Sequence, residues 1–251
     1  GWSDTILEDN ETIRMIKHRR AIRDYDTSRD VPDELIYKII EAGAYAPSAE
    51  NQQPWRVIVI RDKETQKFIG QIAVDRTVEL FGRATPREEL ERRLSYIESK
   101  VSLERTIDIL ITGERFEYIK GEAETNGAPV LLVLAVDQTH VGNSQPTLRG
   151  TGGVYGWSSP RHAIIAGSMM MQNMSLAAAS FGLGSCVSSV QLDHFDDVGA
   201  ISDLLGIPLP HYVPILCLTL GYPKYERTLG PPRQGPNEIA FLDRWGEPFH
   251  Q

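Results

Sequence analysis

Absent from the 251 residues are a G-x-x-x-x-G-K-[ST] phosphate loop, a G-x-G-x-x-G turn after a strand, an H-E-x-x-H pair and a G-x-S-x-G elbow. Their absence argues against nucleoside-triphosphate, zinc and serine-hydrolase chemistry. Cysteine is scarce: Cys186 and Cys217 are the only two, both in apolar strand-like runs without CxxC or Cys/His spacing. They read as buried thiols in a reducing cytosol rather than as a disulfide framework. The six histidines are scattered, and no metal site is expected. Positive charge is in deficit, with 26 Lys and Arg against 34 Asp and Glu, so a nucleic-acid backbone is not an expected partner. No apolar run approaches the roughly 20 residues that cross a bilayer. The strongest, Ala128 to Val136, has the length of a buried strand. The opening GWSDTILEDNET lacks the basic and apolar regions of a secretory signal, so a membrane-free cytoplasmic protein is expected.

At 41% apolar residues the chain can bury a substantial core, and a single domain over 1–251 is expected. Thr12 to His18 reads as a short helix with Asp9, Asn10 or Thr12 as its cap. A second helix starts near Pro32, Asp33 and Glu34, where a proline and two carboxylates suit the positive helix end. Trp55 to Ile60 reads as a buried strand and Leu131 to Val136 as another. Between them, residues 63–127 are charged and helix-prone, which suggests an insertion lying over the core. Asp137 to Pro160, rich in Gly, Ser, Thr and Pro, reads as a long loop. Arg161 to Phe181 carries few charges and many small residues, hence a helix buried on most sides. A short strand over SCVSSV, a helix over DHFDDVGAISDLLGI and a strong strand over YVPILCLTLGYP follow. His194 belongs to the polar start of that helix. Beyond Pro223 the chain becomes a Pro, Gly and Arg-rich arm with little core of its own.

Two stretches carry the functional expectation. Arg19, Arg20 and Arg23 crowd into five residues of an acidic protein, so their partner is expected to be a small anion; the guanidinium fork matches phosphate oxygens in pairs. Another arginine, Arg233, stands in the C-terminal arm. A solvated helix end is the plainer reading of such a cluster. The second stretch is the loop APSAENQQPW, Ala46 to Trp55, whose Ser48 and Asn51 offer neutral donors and acceptors to a flat aromatic ligand. An ordinary helix-to-strand connection anchored by Trp55 is its plainer reading.

Taken together, RRAIRDY at Arg19–Tyr25, APSAENQQPW, GLGSCVSSV at Gly182–Val190 and LGYPKYERTLGPPRQGPNEI at Leu220–Ile239 make the chain resemble the nitroreductase family of FMN enzymes. The likeness covers roughly residues 12–60 and 161–240. It implies an α/β (α+β) fold, a central mixed sheet flanked by helices, with a helical insertion at about 63–127 and a C-terminal arm exchanged between the subunits of a homodimer. It also implies that Arg19, Arg20 and Arg23 hold the ribityl phosphate, with Arg233 contributing. Pro47, Ser48, Ala49 and Asn51 would line the flavin ring, the loop coming from the other subunit. Val187, Ser188 and Ser189 would set backbone N–H groups near flavin N5 and O4. Ala21 stands where the family often has a hydroxyl residue, which removes one hydrogen bond.

If FMN binds, the cofactor carries the reaction and no protein acid or nucleophile is required. The resemblance implies ping-pong transfer from NADH or NADPH to flavin N5 and then to a small aromatic acceptor such as a nitroaromatic, quinone or flavin. Specialised relatives that dehalogenate, oxidise or fragment flavin are the runner-up. A protein that only sequesters FMN and a flavin-free interaction module come after them. Substrate walls are expected from the insertion and the 138–160 loop, with Phe81, Tyr96, Phe116, Tyr118, Tyr155 and Trp157 available to stack.

Overall fold

The computed structural model describes residues 8–83, 85–95, 97, 100–122, 127–138, 159–227, 230 and 233–247. Tyr96, Tyr155, Trp157 and residues 139–158 of the stretch expected to be a long loop lie outside this set. Helix α1 runs over Glu11–His18, and the Asn10 carboxamide oxygen caps it by accepting from Ile13 N at 3.0 Å. Helix α2, Asp33–Ala44, follows Pro32 and has Asp33 and Glu34 in its first turn, where negative charge offsets the helix dipole. Strand β1 is Trp55–Ile60. Helix α3, Lys63–Thr77, is capped by Asp62, which accepts from Thr65 N at 2.8 Å, and passes into a π-helical turn at Val78–Arg83. Short helices α4, Arg87–Arg93, and α5, Lys100–Thr112, come next, then a 3-10 turn at Glu114–Ile119. Strand β2 is Val130–Asp137, helix α6 Ser159–Ser180 and strand β3 Gly184–Ser188. Helix α7 is Phe195–Leu205, with His194 at its N-cap and Gly206 left-handed at its end (φ 66°). Strand β4, Tyr212–Gly221, and the one-turn helix α8, Pro236–Ile239, complete the described elements.

The four strands pair antiparallel in the order β1-β2-β4-β3. Every strand pairing is antiparallel where a mixed sheet was expected; beside β3 lies one isolated parallel bridge, Ala21 to Ser185. The two-residue period of β2 explains why both faces are covered. Val130, Leu132, Leu134 and Val136 join a core with α2 and α6 through Ile36, Ile39, Met170, Met171 and Met174. The alternate residues Leu131, Val133 and Ala135 join a second core with Ile69, Ala73, Tyr118, Ile119 and Ile201. A strand buried on both faces reads as a continuous apolar run, as Val130–Val136 does.

The helical insertion expected over 63–127 divides by packing. Its first and last pieces, α3 and the 3-10 turn, are walls of the second core. Only α4 and α5 keep a small cluster of their own, around Leu90, Ile107 and Leu110, with Phe81 against it. Arg76 of α3 grips Asp197 of α7 with two hydrogen bonds, 2.6 and 3.1 Å, so the wall is tied to the sheet's other helix.

Candidate functional site

The arginine segment is an added edge to the sheet. Arg19 N closes the last turn of α1 on Met15 O at 3.0 Å, and Arg19 itself is extended. The chain then runs alongside β3, with Ala21 bridging Ser185 and Ile22 N donating to Ser185 O at 2.9 Å. Extended geometry sets Arg19, Ala21 and Arg23 to one side and Arg20 and Ile22 to the other. Arg19 and Arg23 are half-buried, and the Nε of each is fully buried with no acceptor among the described residues. A buried donor left unmade costs about 1–3 kcal/mol, more when charged, so the geometry calls for an anion. Arg20 turns the other way and donates to Lys17 O and Arg19 O at 2.5 and 2.9 Å.

The C-terminal arm begins beside this segment. Tyr25 bridges Pro223, Lys224 N donates to Asp24 O at 3.0 Å, and Arg227 donates to Ala21 O at 3.1 Å. Gly230 sits against the Arg20 guanidinium, where a Cβ would lie 2.7 Å from Arg20 Nε. The start of the arm thus packs along the arginine segment. Among the described residues it is Arg227, not Arg233, that hydrogen-bonds the arginine segment; Arg233 is exposed.

Val187, Ser188 and Ser189 lie at the outlet of β3, one strand away from Arg19–Arg23. Val187 and Ser189 are exposed, while Ser188 is buried and donates to Gln191 Oε1 at 2.9 Å. Residues 19–23 and the end of β3 therefore lie side by side within one chain.

Pro47, Ser48, Ala49 and Asn51 do not. Their loop feeds β1, the sheet edge opposite β3, with β2 and β4 between. Three strand spacings put it roughly 14 Å away across the sheet. The loop is internally fixed: Ala49–Asn51 forms a 3-10 turn, Ser48 Oγ accepts from Gln53 N at 3.0 Å, and Gln53 Nε2 donates to Asn51 Oδ1 at 3.1 Å. Asn51 and Gln53 hold left-handed backbone, φ 54° and 47°, a conformation uncommon for residues other than glycine and concentrated at functional loops. Pro47, Ala49 and Asn51 are exposed.

Behind the arginine strand lies a buried polar relay. Tyr25 Oη contacts Ile22 O and Thr219 Oγ1 at 2.7 and 2.6 Å, Thr219 donates to Cys186 O at 3.3 Å, and the Cys186 thiol donates to Tyr118 Oη at 3.6 Å. Burial, then the neighbouring Cys186, lifts both phenols above their ordinary value. Burial likewise pushes the Cys217 thiol up to about 12. These groups stay protonated at neutral pH and offer no ready general base. No cluster of three metal-ligating side chains occurs among the described residues.

The sequence reading had no role for Arg227, although it stands inside the arm motif, and placed Tyr118 only among possible stacking surfaces. Phe116 packs on the second core, tilted against Tyr118 with ring centroids 5.9 Å apart.

Apolar side chains remain open on three elements. Helix α6 buries Ala163, Ala166, Met170 and Met174 but exposes Ile164, Ile165 and Met169 along its other side. Ile13 and Ile16 are open on α1. In the arm, Phe241 and Trp245 pair at 4.8 Å between centroids while Trp245 is 91% exposed.

Comparison with known proteins adds family context. A family model described as "Nitroreductase family" matches residues 16–222. A protein of Thermus thermophilus named "NADH dehydrogenase" is 28% identical over 208 residues, 83% of this chain and 84% of that one. "FMN reductase [NAD(P)H]" of Bacillus subtilis is 42% identical over 64 residues, 26% of this chain and 25% of its own. Among solved structures, a "BluB-like flavoprotein" from Clostridium difficile shares the fold at TM-score 0.63 and 20% identity, covering 94% of this chain and 100% of that one.

Proposed function

Because the chain belongs to the nitroreductase family, we propose that it is an FMN-dependent NAD(P)H oxidoreductase acting by a ping-pong mechanism on small flat acceptors such as nitroaromatics, quinones or flavins. The observation that carries this reading is that the Nε atoms of Arg19 and Arg23 are buried with no acceptor among the described residues, on an extended segment bridged to β3 at Ala21. A phosphate dianion bound between them would supply acceptors to both. Arg20 shapes the same turn, Ala21 presents backbone to it, and Arg227 holds the segment from behind through Ala21 O; Arg233 is assigned to the outer side of the phosphate.

When bound, the flavin would supply hydride uptake from a reduced nicotinamide and delivery to the acceptor. The chain's part is to bind and orient. Backbone N–H groups around Val187, Ser188 and Ser189 would meet the ring's N5 and O4 edge, where a preorganised donor would be worth about a hundredfold in rate by analogy with oxyanion holes. Pro47, Ser48, Ala49 and Asn51 cover the ring from a second copy of the chain, since their own protomer holds them at the far edge of the sheet. The open faces of α6 and α1 and the aromatic arm then become a homodimer interface with the arm exchanged. No helix among the described residues is long and apolar enough to cross a membrane; the two free buried thiols suit the cytoplasm.

The test is the visible spectrum of purified protein after incubation with FMN and desalting. A retained flavin band that NADH or NADPH bleaches anaerobically, and that a nitroaromatic then restores, is the expected result. A colourless protein overturns the flavin assignment, and a yellow one that dithionite but not NAD(P)H reduces overturns the enzymatic one.

A further inference from the structure

The segment between β1 and β2 sends one side chain into the junction of the arginine strand and β3. Tyr118 stands in the 3-10 turn Glu114–Ile119, pinned by the bond from Ala128 N to its own carbonyl at 2.8 Å and only 3% exposed. Its ring lies 5.8 Å from the Arg23 guanidinium carbon. Its hydroxyl accepts from the Cys186 thiol at 3.6 Å, while Ser188 Oγ donates to Gln191 Oε1. Cys186 and Ser188 are two apart on β3 and so share a face. One buried side chain therefore touches both Arg23 and β3, two residues before the strand's end at Ser188.

We infer that Tyr118 is a positioning residue, which fixes the Arg23 guanidinium relative to the outlet of β3 so that one ligand can meet phosphate donor and ring donors together. The inference rests on the reading that FMN lies along this strand. An arginine side chain has many rotamers, and a π face is a surface on which its planar fork can be held while its edge donors stay available. The hydroxyl, raised by burial, remains neutral at physiological pH. It therefore leaves the Arg23 charge to the incoming anion instead of neutralising it as a phenolate would. The two halves of the side chain have separable duties: the ring acts on the clamp, and the hydroxyl acts on β3.

Two variants separate them. Tyr118→Phe keeps the ring and should bind FMN within about threefold of the parent while its bound flavin shows a shifted midpoint potential. Tyr118→Leu loses both and should weaken FMN binding about tenfold or more, as read by flavin fluorescence titration. Should the leucine variant not fold, Tyr118→Met fills a similar volume without a π face and carries the same comparison. Unchanged FMN affinity in the leucine or methionine variant, or an unchanged potential in the phenylalanine variant, overturns the inference. A parent protein that takes up no FMN overturns the functional reading on which it stands, and that outcome is visible before any variant is made.

Discussion

Ile22 rests directly on the bare α-carbon of Gly184, where a Cβ would come within 2.7 Å of the Ile22 Cβ. That contact is what lets the arginine segment lie close enough to β3 for Ile22 N to reach Ser185 O. Since Ile22 sits between Ala21 and Arg23, its displacement moves the clamp. Gly184→Ala should cost about 1–3 kcal/mol through overpacking, concentrated at this strand. Far-UV circular dichroism should stay native while FMN affinity falls; equal affinity would show that the strand does not set the clamp.

Arg23→Ala removes a charged donor whose Nε has no acceptor among the described residues. FMN binding should weaken by about 1.5–3 kcal/mol, the range for hydrogen bonds to charged groups. Excess FMN should restore the folded holoprotein by mass action. Titration of the desalted variant measures the loss, and parent-like retention would remove Arg23 from the phosphate site.

Stability should fall on the alkaline side. Cys217, held protonated up to about 12, and the raised phenols of Tyr25 and Tyr118 bind protons in the folded state that the unfolded chain has already released. Unfolded thiols and phenols ionise near about 8.5 and 10. Above those values the native state carries more protons than the unfolded one, so stability drops by about 1.4 kcal/mol per pH unit for each group. Urea midpoints should show no contribution from these three groups below about pH 8 and decline above about pH 9, and Cys217→Ala should delay the onset. An unchanged onset in that variant would assign the decline elsewhere.

Ile165 stands on the open side of α6, opposite the methionines that pack on the sheet. If the open side of α6 forms the proposed dimer interface, Ile165→Glu should leave the fold intact and shift sedimentation from dimer to monomer, because a charge buried there is left unpaired. FMN affinity should fall with it. A monomeric variant that binds FMN as the parent does would mean that a single chain completes the site.

Most elements were legible because their signals are local. The apolar run Ala128–Val136 announced a buried strand, found at Val130–Asp137, and Pro32 with Asp33 and Glu34 marked the start of α2. Residues 63–127 were harder, because the charged exteriors of α3, α4 and α5 look alike in sequence whether or not their inner faces reach the main core. Ile69, Ala73 and Ile119 do reach it, and Leu90 and Ile107 pack apart. At the candidate site the arginines and the Asn51 loop stand out in the sequence by residue type, but their placement relative to one another does not. That the clamp and the loop occupy opposite sheet edges follows from strand order, a property of long-range pairing. The contact of Arg23 with Tyr118 spans 95 positions and leaves no periodic trace.

The opposite-edge placement of Arg23 and Asn51 also sets a rule of inheritance for damaged subunits. If every pocket draws its clamp from one chain and its loop from the other, co-expressing a clamp-defective chain with a loop-defective chain should yield mixed pairs in which one pocket carries both lesions and its twin carries neither. Such pairs would regain up to half of the flavin occupancy that neither defective homodimer shows.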